Sequence, residues 1–280
     1  MENPVTGVMP ERILRELDDL WVSLSRQEEG FGSGVLRACS MTFLVLAESG
    51  EETDLVAETL ALLMRDHPSR AIVMRLDGDS RGRLESQVLA QCWMPFGHRR
   101  QICCERVEIT SSPDELPAVA PLLRALIAPD LPVVLWCRNP ERLESAALSD
   151  IFDLAGKVIV DSGASADPRA AVAVIGRARA AGRLVGDLAW TRLTRTRESI
   201  AQLYADPSNE DRMGSIRKAV RECSDEAGYL SAWLNRALPG IDFGHAAPLL
   251  ERAPNAEAEW LSEEISILGR DRVYEEVLRA

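Results

Sequence analysis

Met41-Thr42-Phe43-Leu44-Val45-Leu46 is the stretch whose reading decides the fold. Only Thr42 interrupts the apolar run, and the run is too short for a core helix. Such a segment reads as a strand buried on both faces, within a wider strand over 37–48, and strands of that kind belong to parallel sheets. The flanking sequence agrees. Residues 52–65 place Leu55, Val56, Thr59, Leu60, Leu62 and Leu63 at helical spacing, Pro68 stops that helix, and Ala71–Leu76 is a second apolar strand. Strand, helix, strand is the repeating unit of an α/β sheet.

Working outward, residues 10–24 form an amphipathic helix, with Ile13, Leu14, Leu17, Leu20, Trp21 and Leu24 on its apolar side and Pro10 at its start. Gly30, Gly32 and Gly34 follow. A dinucleotide fingerprint needs a strand before it and a helix after it; here the order is reversed, so these glycines read as a connection. Strands are expected over 82–93 and 101–110, a helix over 113–128 and the most hydrophobic strand over 131–138. A helical stretch at 141–154, a strand at 157–161 and a helix at 168–181 come next, then a short strand or loop at 184–188. The expected fold is α/β: a mixed, mostly parallel sheet with helices on both faces and an antiparallel pair near 83–110, filling residues 1–186.

Residues 187–280 read as a smaller, mainly helical α+β part. The stretch Asp187-Leu188-Ala189-Trp190-Thr191-Arg192-Leu193-Thr194-Arg195-Thr196-Arg197-Glu198-Ser199 joins the two parts. Projected as one helix, Trp190, Leu193, Ile200 and Tyr204 share a face, and Arg197 falls on it between Trp190 and Leu193. An arginine on an apolar stripe keeps its charge, so it needs a carboxylate, a phosphate or carbonyl oxygens. It is either an internal ion-pair partner or part of an anion or partner site. Beyond it, 214–223 suggests a short strand, Ser224 a cap for a helix ending at Leu238, and 256–268 a helix. Asp271 suggests a cap for a last helix. Residues 241–253 have no clear period.

The 280 residues carry a net charge of −12, which disfavours nonspecific binding to nucleic acid or anionic membranes. No apolar run is long enough to span a bilayer, and residues 1–10 lack a signal-peptide pattern; the expectation is a cytoplasmic protein. The six cysteines, Cys39, Cys92, Cys103, Cys104, Cys137 and Cys223, form neither a C-x-x-C pair nor a metal-spaced cluster and read as buried reduced thiols. Cys103 and Cys104, as strand neighbours, point to opposite faces and cannot bridge simply. His67, His98 and His245 lack a metal-spaced partner. No G-x-S-x-G, H-E-x-x-H or Walker A motif occurs, and nothing names a nucleophile or base. The expectation is a protein without catalysis, cofactor or metal. Residues suited to binding stand at strand and helix ends: Arg70, Asp77, Arg138, Asp161 and Ser162, with Trp190, Arg192, Arg195 and Arg197 on the joining helix. Helix capping and internal pairing are the competing roles of these groups.

Seven stretches in order carry a resemblance. They are Arg37-Ala38-Cys39-Ser40-Met41-Thr42, His67-Pro68-Ser69-Arg70-Ala71-Ile72, Ile102-Cys103-Cys104-Glu105, Leu131-Pro132-Val133-Val134-Leu135-Trp136, Val158-Ile159-Val160-Asp161-Ser162, Asp187 to Thr194, and Asp271-Arg272-Val273-Tyr274-Glu275. Together they resemble the glucose-6-phosphate dehydrogenase assembly protein family, OpcA. The resemblance implies a non-catalytic companion that binds glucose-6-phosphate dehydrogenase, promotes its assembled, active form and serves the oxidative pentose phosphate pathway and NADPH supply, in some members under redox control. It also implies that the C-terminal region is shortened, since the family carries a longer β-rich segment than residues 205–255 supply. On that reading, Trp190, Arg192, Arg195, Trp260 and Tyr274 are candidate partner contacts. The alternative is an α/β metabolite sensor for a sugar phosphate or nucleotide, using Ser69, Arg70, Arg138, Asp161, Ser162 and Arg197.

Overall fold

The apolar run opening the sequence reading is the centre of β2 (Met41–Glu48), whose first seven residues are all buried. A computed structural model describes residues 9–28, 35–48, 53–77, 84–95, 100–223, 228–244, 254–267 and 269–279. The chain divides into two units, Met1–Val158 and Ile159–Ala280.

The first unit begins with α1 (Pro10–Glu28) and β1 (Val35–Arg37), then β2, α2 (Thr53–Asp66), β3 (Ser69–Leu76), β4 (Leu84–Trp93) and β5 (Gln101–Ser111). It ends with α3 (Leu116–Leu126), β6 (Val133–Cys137), α4 (Ser149–Phe152) and the first residues of β7 (Lys157–Val160). Its strands lie in the order β1-β5-β3-β2-β6, with β4 on β5. The β1–β5, β2–β3, β2–β6 and β3–β5 pairings are parallel, and β4–β5 is antiparallel, as the alternation over 83–110 led one to expect.

Register assigns the faces. Arg70 lies beside Glu105. Glu105 accepts from the Trp21 indole on α1 at 2.7 Å, and the Arg70 Nη1 donates to Leu126 O on α3 at 2.6 Å. Those helices therefore cover the Arg70 and Glu105 face. The β2–α2–β3 connection steps across the sheet in the direction opposite to β5–α3–β6. With right-handed crossovers, α2 then covers the other face, over Phe43, Val45, Ala71 and Val73. All four of those side chains are at most 1% exposed.

The second unit holds the end of β7, α5 (Pro168–Ala180), β8 (Val185–Asp187), α6 (Leu188–Thr191), α7 (Thr194–Ala205), α8 (Arg212–Arg221), α9 (Tyr229–Ala237), α10 (Pro254–Ser266) and α11 (Arg272–Val277). The expected change of character at 186/187 falls instead beside residue 158. The reason is a set of long-range ion pairs: Asp161 binds Arg192 and Arg179 binds Glu275, which ties the end of β7 and α5 to the helices that follow.

Three expectations are corrected here. The joining helix is broken: α6 stops at Thr191 and α7 starts at Thr194, so one helical projection does not hold, and Tyr204 is 49% exposed. Residues 214–223 are not a strand but most of α8, whose buried Ile216 and Val220 are four apart and whose N-terminus is capped by Asp211. The helical stretch at 141–154 is mostly 3₁₀ turns, with α4 only four residues long. The readings at Gly30, Gly32, Gly34, Ser224, His98, His245 and residues 245–253 fall outside the described residues.

Candidate functional site

Asp187 ends β8 and begins α6, and both roles follow from its carboxylate. Oδ1 accepts from the Ala189 N–H at 3.0 Å, an N-cap, and from the Ser162 N–H at 2.9 Å. Oδ2 accepts from the Tyr229 hydroxyl at 2.7 Å, and Tyr274 lies 3.0 Å from that hydroxyl. Asp187 is fully buried. Burial, then repulsion from Asp161, pushes its carboxyl up to about 6, and its hydrogen bonds only partly oppose this. Burial raises both tyrosines well above the usual phenol range, so they stay neutral donors.

Trp190, one turn on, is 2% exposed. Its indole N–H donates to Asp271 at 2.8 Å, and Asp271 also caps α11 through the Tyr274 N–H. Tyr274 stacks on the indole at 5.4 Å and Tyr229 meets it edge-on at 5.8 Å. Arg197 lies over the other face, its guanidinium carbon 3.4 Å from the ring centroid. It donates to Thr194 Oγ1 at 3.1 Å and to Leu193 O at 3.4 Å. Burial lowers its pKa to about 10, with Asp271 the first of the carboxylates that oppose the shift. Arg197 thus points inward. Among the described residues its partners are a ring, a hydroxyl and the carbonyl of Leu193, the residue that caps α7, with no carboxylate in direct contact.

Arg192 closes the group. Nη1 and Nη2 each meet an Asp161 oxygen at 2.9 Å, a bidentate pair with both side chains at most 6% exposed, and the guanidinium lies 4.8 Å over Trp260. Thr191 donates to buried Glu264 at 2.6 Å. That carboxylate rests against Gly186, where a Cβ would fall 2.0 Å from Glu264 Oε1, so any side chain there would displace Glu264.

Asp161, Ser162, Trp190, Arg192 and Arg197 are therefore brought together in the second unit. Arg195 is on the same helix as Arg197 but exposed. Arg70 and Arg138 belong to the first unit. Arg70 is held by Glu105, and Arg138 stacks 4.7 Å over Trp136. Sequence reasoning missed Asp187, Tyr229 and Glu264. Asp187 had a local signal, an Asp ahead of a helix, but its tyrosine partners lie 42 and 87 residues away. It also missed Arg75, 8% exposed, whose two terminal nitrogens find no hydrogen-bond acceptor among the described residues.

One thiol expectation is corrected. Cys92 and Cys103 form a disulfide across β4 and β5, because antiparallel register sets them opposite each other. Cys39, Cys104, Cys137 and Cys223 remain thiols, and burial first of all raises Cys104 to about 11, an unreactive thiol.

The second unit's cluster is a packed polar core. Its carboxylates are enclosed and engaged, which orients the helices that carry them. Two cavities are described near it. One of about 410 Å³ is lined by Ser231, Asn235 and residues 240–244; another of about 190 Å³ lies beside Arg179, Arg270 and Glu275. Among the described residues no group of three His, Cys, Asp or Glu is placed to hold a metal, and no helix is long and apolar enough to cross a membrane.

Fold and site together define an α/β protein with an enclosed polar centre in its second unit, and residues 61–177 match the family described as glucose-6-phosphate dehydrogenase subunit N-terminal domain. That match covers 117 of the 280 residues. The chain is similar to proteins named "Putative OxPP cycle protein OpcA". The Synechocystis sp. relative is 24% identical over 162 residues, 58% of this chain and 34% of its own length. The Synechococcus elongatus relative is 24% identical over 196 residues, 67% of this chain and 43% of its own. The Nostoc punctiforme relative is 26% identical over 171 residues, 60% of this chain and 34% of its own. The matched stretches thus span less than half the length of these curated relatives.

Proposed function

We propose that this chain is a non-catalytic assembly partner and allosteric activator of glucose-6-phosphate dehydrogenase. The observation that carries the reading is the match of residues 61–177 to that enzyme's subunit N-terminal domain family. The enclosed polar core, whose carboxylates are all engaged, supports it, because a scaffold that positions surfaces needs rigid elements more than a reactive centre. An activator must bind the active form better than the inactive one. A tenfold shift of that equilibrium needs about 1.4 kcal/mol of differential affinity, within reach of a few aromatic and arginine contacts. Arg195 is the exposed cation of the joining segment and the first candidate contact there; Trp260 is half-buried, while Tyr274 at 2% exposure serves the interior. The metabolite-sensor alternative has less support at Arg70, Arg138, Asp161 and Arg197, which already have partners within the chain, while the buried hydroxyls of Ser69 and Ser162 find no hydrogen-bond partner among the described residues. Co-purification with the dehydrogenase of the same organism, with assays of its activity with and without this chain, tests the proposal. A stable complex with raised activity is expected; no complex at micromolar concentration and unchanged kinetics would overturn it.

A further inference from the structure

β4 is a long edge strand. Over Leu84–Trp93 it pairs, among the described residues, with β5 alone, in an unbroken ten-residue register. The Cα atoms of Cys92 and Cys103 are 4.1 Å apart. That spacing marks a narrow, non-hydrogen-bonded pair, as opposed to about 5.5 Å for a hydrogen-bonded one. Counting by twos, Leu84, Ser86, Val88, Ala90 and Cys92 all occupy narrow pairs. Their N–H and C=O groups consequently point away from β5, toward the free edge.

Proteins usually guard such an edge with Pro, Lys, a bulge or a short strand. β4 has none of these guards: its sequence is LESQVLAQCW, with Glu85 its one charge, and its last six residues are half-buried rather than covered. The edge is also self-complementary. Turned antiparallel about Val88, two copies set Leu84 against Cys92, Ser86 against Ala90 and Val88 against itself. Every outward group then finds a partner, five pairs with two bonds each. In the intervening narrow pairs Glu85 meets Gln91 and Gln87 meets Leu89, so no like charges oppose.

We infer that β4 is a homodimerisation edge, at which two copies of this chain join their first-unit sheets about a two-fold axis through Val88. This goes beyond the assembly role and does not depend on it. The test is the mass of the full chain in solution by light scattering or sedimentation, with no other protein present. The expected mass is about 62 kDa, twice 30.8 kDa. Val88→Pro removes an outward N–H, which an edge strand tolerates, and is expected to give a monomer with unchanged circular dichroism. If that variant fails to fold, the Gln91 variants still decide. Gln91→Glu sets an acid against Glu85 in both symmetric pairs and weakens the dimer, whereas Gln91→Lys tightens it, each by roughly 2- to 30-fold for two cross-strand pairs. A chain that is monomeric throughout the micromolar range overturns the inference. So does a dimer indifferent to all three substitutions. A monomer whose complex with the dehydrogenase is lost on Val88→Pro also overturns it, and assigns the edge to a strand of that partner.

Discussion

Glu105 in the first unit and Asp187 in the second are both buried carboxylates at the centre of a hub, and they are satisfied in opposite ways. Glu105, 2% exposed, meets the guanidinium groups of Arg37 and Arg70 and the indole N–H of Trp21. Its charge is matched by cations that tie α1, β1 and β3 to β5. Asp187 meets two backbone N–H groups and the Tyr229 hydroxyl, with Tyr274 more distant, and no cation is in direct contact among the described residues. Arg192, five residues on, is engaged by Asp161, which itself repels Asp187. Neutral donors can enclose a carboxylate without fully offsetting its desolvation, and the raised pKa of Asp187 is the result.

The largest expected effect comes from breaking the cationic hub. Glu105→Ala leaves Arg70 buried at 11% side-chain exposure without its carboxylate. Removing one member of a buried pair costs about 3–5 kcal/mol. Denaturant unfolding should show this loss, and Glu105→Gln should recover part of it through hydrogen bonding alone. A loss below about 1 kcal/mol would mean that the pair is solvated and the contrast between hubs is false.

The second hub should reveal itself in pH dependence. The folded carboxyl of Asp187 titrates near 6, above its ordinary 3.8. Between those values the folded state holds a proton that the unfolded state has released. The favourable contribution is thus present at low pH and is lost as pH rises through 6. Its full size is about 3 kcal/mol, from roughly two pH units at 1.36 kcal/mol each. The stability of the native chain relative to Asp187→Asn should fall by up to that amount between pH 4 and 7. Parallel curves for the two proteins would show that Asp187 is ionised throughout and that its neutral donors suffice.

How much of this was readable beforehand follows from distance along the chain. β2, β3 and β6 were legible because central parallel strands, covered on both sides, are apolar without interruption. β4 and β5 were legible as an antiparallel pair, while the disulfide within it depended on register that no local pattern states. The α6–α7 break at Arg192 and Leu193 was invisible to periodicity, since Trp190, Leu193 and Ile200 are buried on either side of it. α8 was mistaken for a strand although Ile216 and Val220 already had helical spacing. At the candidate site the residues 161, 162, 190, 192 and 197 were picked out individually. What they do was not, because the residues that engage them are distant in sequence: Asp271 meets Trp190 from 81 residues away, and Tyr274 approaches Asp187 from 87.

The smallest effect separates Arg197 from Arg195, two arginines on one helix of which only Arg197 projects onto the apolar stripe. Arg197 covers the Trp190 ring and is engaged by Thr194 and Leu193, whereas Arg195 is exposed. A desolvated cation–π contact contributes about 2 kcal/mol, so Arg197→Ala should cost that order of stability rather than the 3–5 of a broken buried ion pair. Arg195→Ala should stay within about 0.5 kcal/mol of the native chain. Thermal unfolding measures both, and the complex with the dehydrogenase measures the rest. If Arg195 contacts the partner, its substitution weakens binding at unchanged stability. If Arg197 only holds the Trp190 cluster, Arg197→Lys restores part of the stability and leaves binding at the native level. An Arg197→Ala variant as stable as the native chain would show that the ring is packed well enough by Tyr229 and Tyr274 alone. The second hub would then be a purely neutral one, and its contrast with Glu105 sharper still.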